Sequence, residues 1–124
     1  TLRSSSAASD VYKRQVEPFV IKSDLCIAYH TIESKEKTIP KNIKKNLDGW
    51  VAGCDICQDV CPWNKKVPYN DDSETKPKEW IMNLNVDSLN WDDKTWTEHL
   101  KGTTLKRIKP WMWRRNIKAN LGKK

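Results

Sequence analysis

No run of about 18 apolar residues occurs anywhere in the 124-residue chain, which excludes a transmembrane helix. No basic-then-apolar segment opens it, so a secretory leader is not expected. Strong strand alternation and internal repeats are also missing, which argues against a β-rich or repeat architecture. Apolar residues are scarce at 37%, mean hydropathy is −0.82 and 31% of residues are charged. A chain this short and polar buries a modest core and needs help to stay folded. Four cysteines are available for that help, and seven tryptophans, from Trp50 to Trp113, exclude a collagen-like or wholly disordered chain.

Acidic residues are absent from the last 24 positions. Residues 101–124 carry nine basic side chains and no acidic one, whereas residues 71–100 carry three basic and eight acidic. A tail so polarised points to an anionic partner, with nucleic acid first. On charge alone a solvated, solubilising end weighs equally.

Thr1 to Gln15 has no apolar period, only small polar residues and then a basic cluster. Ser9 to Gln15 resembles the translation of a transposase adapter used in preparing sequencing libraries. Residues 1–15 are therefore expected to be non-native, with the true polypeptide joining near Val16 and extending upstream. Val16 to Ile21 is β-prone. Ser23 or Asp24 is placed to cap a helix over 25–33. Pro40 suits the first turn of a short helix over 41–47, with Ile43 and Leu47 on one face. Residues 65–79 read as loop. Asp92 or Asp93 begins a helix to Leu100 that Gly102 ends, and Pro110 opens a last helix. Trp113, Ile117 and Leu121 form its apolar stripe, and Gly122 stands at its C-terminal cap. The expected fold is mainly α with long loops.

The chemistry lies in Cys26, Cys54, Cys57 and Cys61. The last three stand as C-x2-C-x3-C-P, three quarters of the bacterial ferredoxin run, with Val51 where its first cysteine would be. Two thiolates three residues apart can serve one cubane, while the cysteine before proline turns toward a second. A disulfide framework does not fit the absence of a leader. Zinc remains an alternative, although zinc ribbons usually bring two separated C-x2-C pairs, and buried structural thiols fit poorly with three cysteines in eight residues. Two cubanes need eight thiolates and the chain has four. Either all four close on one metal, or the chain is part of something longer.

The residues then become recognisable. Cys26-Ile27-Ala28-Tyr29-His30-Thr31-Ile32-Glu33, Ile39-Pro40, and the block from Gly53 through Cys54-Asp55-Ile56-Cys57-Gln58 to Cys61-Pro62-Trp63-Asn64 resemble the epoxyqueuosine reductase family. So do Gly102 to Ile108 and Arg115-Asn116. Ala28 departs from the family's usual serine. The resemblance implies the second half of a ferredoxin-like 2[4Fe-4S] domain over 16–66, a loop or linker over 67–90 and a helical basic region over 91–124. It implies a cytoplasmic, monomeric oxidoreductase with cobalamin and two [4Fe-4S] clusters, acting on tRNA carrying epoxyqueuosine and fed by an external electron donor. Cys26, Cys54 and Cys57 would join one upstream cysteine in one cluster, and Cys61 would join three in the other. The loops bearing Glu33 and Asp55 would lie against the corrin. The catalytic aspartate would be upstream, and no residue present matches it. Lys106, Arg107, Lys109, Arg114 and Arg115 are the expected tRNA contacts, and the chain alone is expected to be inactive.

Other residues carry plainer expectations. His30 and His99 read as ordinary structural or surface histidines, and Asp59 as a surface carboxylate. Trp63 would shield a cluster from water, and Trp111 would be more exposed than Trp113. The competing function is a small stand-alone zinc or iron–sulfur module that docks on RNA.

Overall fold

The structure, a computed structural model, describes residues 15–17, 20–69 and 71–122. The adapter-like segment, apart from Gln15, lies outside the described residues. The strands β1 (Gln15–Glu17) and β2 (Val20–Ile21) pair antiparallel, with Gln15 opposite Ile21 and Glu17 opposite Val20. Everything after them is helical or irregular. No helix among the described residues is long and apolar enough to cross a membrane.

The single helix expected over 25–33 is broken. Ser23–Leu25 forms a 3-10 turn capped by Lys22 rather than by Ser23 or Asp24, and Cys26 is extended at φ −93° and ψ 123°. The chain then re-enters a helix that widens into a π-helical turn at Tyr29–Glu33. Thr31 is fully buried there, and its hydroxyl donates to Ile27 O at 2.9 Å. That side-chain bond to an upstream carbonyl competes with regular helix geometry.

Three one-turn helices follow: α1 (Lys41–Lys44), α2 (Ile56–Asp59) and α3 (Glu79–Met82). The last falls inside the expected linker, as do the 3-10 turns Ser73–Thr75 and Val86–Asn90. Each is a single turn, too short to leave a 3.6-residue period in the sequence.

Helix α4 (Asp93–Leu100) begins where expected. The Asp92 carboxylate accepts from Thr95 N at 2.7 Å, and the bonds from Thr95, its side chain first, hold the Asp92 carboxyl below its ordinary value. Gly102, at φ +75°, supplies the left-handed residue that ends α4. Helix α5 (Pro110–Leu121) has Pro110 in its first turn, where a missing N–H costs nothing.

Two apolar clusters meet around α5. One joins Trp96, Leu100, Ile108, Met112, Trp113 and Ile117, and Trp80, Leu84 and Leu89 from the expected linker pack against it. The other joins Ile27, Ile39, Ile43 and Leu47, with Trp50, Cys54, Ile56 and Ala119 packed on it. The α5 stripe differs from expectation at one end: Leu121 is 60% exposed, and Met112 and Asn116 complete the buried face instead. An i, i+4, i+8 row drifts about 40° per step round a 3.6-residue helix, about 80° over two steps, so its last member leaves the core.

Candidate iron–sulfur and nucleic-acid site

The two cysteine-bearing segments are held by polar groups of α5, and each grip follows from local sequence. Asn116 is fully buried. Its Nδ2 donates to Thr31 O and to Val51 O, both at 2.8 Å, so one amide bridges the Cys26 segment and the approach to Cys54. One turn on, Asn120 Nδ2 donates to Trp50 O at 3.0 Å, and its Oδ1 accepts from Gly49 N at 3.0 Å. Thr31 closes the circuit, accepting from Gly53 N at 3.0 Å. Gly53 sits at φ +83°, and a Cβ there would meet Ile32 Cδ1 at 3.5 Å. A side chain would thus be strained in the residue just before Cys54.

Arg115 locks the far side of the same turn. Its Nη1 donates to Ser34 O at 2.9 Å and to Glu36 O, its Nη2 to His30 O at 2.6 Å and to Asn116 Oδ1 at 2.9 Å, and its Nε to Asn116 Oδ1 at 3.0 Å. All five N–H donors of a guanidinium are thereby used. Burial lowers its pKa from the ordinary value. His30 is buried beneath it and pairs its Nε2 with Asp24 O at 2.8 Å, as a structural histidine should.

Each of the four cysteine side chains is half-buried. Cys26 follows the first 3-10 turn, Cys54 leans on the Ile27–Leu47 cluster, Cys57 sits within α2 and Cys61 caps the turn that Pro62 opens. Among the described residues, no three of the His, Cys, Asp and Glu side chains converge as a metal site. The donor set still suits an iron–sulfur cluster: soft thiols, three of them on one eight-residue stretch.

Several of the remaining expected site residues are already engaged. Glu33 is exposed and forms an ion pair with Arg107, and Asp55 is exposed beside Cys54. Lys106 and Lys109 are exposed. Arg114 Nη2 donates to Trp91 O at 2.6 Å and pairs with Asp93 at 3.0 Å. Arg114 and Arg115, expected to grip phosphate, thus have donors committed inside the protein. Trp63 is 80% exposed. His99 lies between Trp80 and Trp91, with ring centroids 5.3 and 4.6 Å away. Sequence reasoning missed Thr31, Asn116 and Asn120. Thr31 and Asn116 stand in the stretches that carry the family resemblance, and Asn116 is a polar residue in phase with Met112 and Trp113.

Residues 12–64 match a family model described as a 4Fe-4S double cluster binding domain. Proteins named epoxyqueuosine reductase from Synechococcus sp. (strain CC9605) and Prochlorococcus marinus (strain NATL2A) are 51% and 53% identical over 105 and 103 residues. The chain is homologous to the epoxyqueuosine reductases. Those two alignments take in 83% and 82% of this chain but 33% of each relative. The epoxyqueuosine reductase of Salmonella typhimurium (strain LT2) is 32% identical over 108 residues, 86% of this chain and 28% of that protein. The chain therefore spans about a third of the length of the relatives it matches. No solved structure matches it. The homology also gives meaning to the clamp: α5 fastens both cysteine segments of an iron–sulfur domain to the basic end of the chain.

Proposed function

We propose that this chain is the iron–sulfur and tRNA-facing part of an epoxyqueuosine reductase, an oxidoreductase that converts epoxyqueuosine to queuosine at the tRNA wobble position. The observation that carries this reading is the Cys54-x2-Cys57-x3-Cys61-Pro62 run inside a segment half identical to enzymes of that name. Removing an epoxide oxygen takes two electrons and two protons and leaves a double bond and water. Cobalamin and two [4Fe-4S] clusters supply that redox chemistry when bound.

Cys26, Cys54 and Cys57 hold one cluster with a fourth thiolate from outside this chain, and Cys61 contributes one thiolate to the second. Thr31, Asn116 and Asn120 fix the two segments that carry the first three thiolates. The backbone beside Glu33 and Asp55 forms part of the wall toward the corrin. Residues 16–66 are the second half of a ferredoxin-like domain, and 91–124 form the basic region. Lys106, Arg107 and Lys109, on the turn before α5, face the tRNA backbone, while Arg114 and Arg115 chiefly hold the scaffold. The full enzyme acts as a cytoplasmic monomer with an external electron donor.

Reconstitution with iron and sulfide, followed by electron paramagnetic resonance after reduction, tests the metal. A signal from reduced cubanes supports the reading, whereas stoichiometric zinc without such a signal favours a small RNA-docking zinc module. The 124-residue chain by itself should convert no epoxyqueuosine, because it holds four of the eight thiolates that two cubanes require.

A further inference from the structure

A basic groove runs beside α5 on a face that the expected tRNA contacts only graze. It encloses about 580 Å3 and is lined by Lys37, Thr38 and Ile39, by Lys44 of α1, and by Trp111, Arg114, Arg115, Lys118 and Ala119 of α5. Five of these nine residues are cationic, and no carboxylate lines the groove. Lys37 and Lys118 are exposed, Lys44 is half-buried, and none of the three makes an ion pair among the described residues. Lys44 Nζ lies beside the last turn of α5, 3.1 Å from where a Cβ on Gly122 would stand.

Trp111 gives the groove a second kind of contact. The Arg115 guanidinium carbon lies 5.3 Å from its ring centroid, and Arg115 is itself pinned by the carbonyls of His30, Ser34 and Glu36. The indole is thus backed by a fixed cation, yet the residue is 42% exposed. A fixed aromatic face among lysines matches what an unstacked nucleotide strand needs: a stacking platform and phosphate partners on either side. The volume suits a ligand of nucleotide size. An acidic peptide would satisfy the lysines and leave the indole unused.

We propose that this groove binds unpaired RNA, stacking one base on Trp111 and holding the flanking phosphates with Lys37, Lys44 and Lys118. That the nucleic acid is RNA rests on the reductase reading; the geometry of the groove does not. Arg115 is the positioning residue for the platform, and direct phosphate contact falls to the lysines.

The test uses the cluster-loaded protein and a fluorescent, unmodified anticodon stem–loop RNA, with anisotropy followed over a salt series. Trp111→Ala should weaken binding roughly 5- to 100-fold, while Trp111→Phe retains most of the affinity because it keeps a stacking face. Lys37→Ala with Lys118→Ala should flatten the log–log salt slope by roughly 0.7 per lost phosphate contact. Lys65→Ala, outside the groove, should change neither. Wild-type affinity and slope in the Trp111→Ala and double-lysine variants would overturn the proposal, as would displacement of the RNA by polyglutamate as effective as by unlabelled RNA. The two readings separate cleanly. Groove variants that lose RNA in the longer protein carrying this segment, when that protein with its clusters and cobalamin reduces no epoxyqueuosine, leave the groove standing and the reductase reading refuted. A working reductase whose groove variants bind and turn over as wild type does the reverse.

Discussion

Asn116 is the most informative single position, because one buried amide joins both cysteine segments. Its Nδ2 bonds to Thr31 O and Val51 O are both 2.8 Å long, and Oδ1 receives two N–H groups of Arg115. The side chain is wholly buried, so water cannot replace it. Asn116→Leu keeps the branched shape and heavy-atom count, with somewhat bulkier methyl groups, and removes every bond. A buried carbonyl left bare costs about 1–3 kcal/mol, and two are left bare here. Partial relaxation is expected to bring the loss to about 2–4 kcal/mol, with Asn116→Ala at the upper end because it also opens a cavity. Urea unfolding followed by tryptophan fluorescence measures this directly, since Trp96 and Trp113 sit in the adjoining core. The same variants should lose cluster absorbance faster on dilution, because Thr31 and Val51 position the segments that carry Cys26 and Cys54. A midpoint for Asn116→Leu within error of wild type would refute the clamp.

Other expectations follow from the same contacts. Arg115→Lys keeps the charge but can replace at most three of five donors, and it should destabilise the protein by about 1–3 kcal/mol in the same unfolding assay. Asp92→Asn should alter the acid limb of stability. The folded-state pKa of Asp92 is depressed, so its contribution is present above the unfolded value and is lost as pH falls through the folded one. A urea series at pH values stepped downward from about 4 should therefore show a shallower decline in the variant. Cys57→Ser should lower bound iron per chain in the reconstituted protein, while Glu33→Gln, which removes an exposed pair with Arg107, should shift stability by no more than about 1 kcal/mol.

The parts legible in the sequence are those written in local chemistry. Asp92 before an amphipathic octet, Gly102 at its end and Pro110 at the head of the last helix each name a terminus, and the structure has them there. The spacing of Cys54, Cys57 and Cys61 is equally local. What escaped depends on tertiary contact. The turn at Val86–Asn90 is specified by Ser88, whose hydroxyl accepts from Trp113 Nε1 at 2.9 Å across 25 positions. His99 is defined by two tryptophans, one of them 19 positions before it. Arg115 reads as one more cation in a basic tail, yet its partners are carbonyls of a turn 79 to 85 positions upstream. A charge count registers the guanidinium and is silent about those acceptors. Leu121 was misassigned for the opposite reason: an apolar residue in helical phase marks a face only while that face still meets the core.

The proposed role of this chain in epoxyqueuosine reduction depends on its thiolates. The direct measurement is nucleoside mass spectrometry of tRNA from cells that lack their own reductase and express the longer protein carrying this segment. Epoxyqueuosine should disappear and queuosine take its place, and Cys54→Ser and Cys57→Ser should each leave epoxyqueuosine in place. Epoxyqueuosine persisting with the wild-type protein, or queuosine forming unimpaired in both serine variants, would contradict that role.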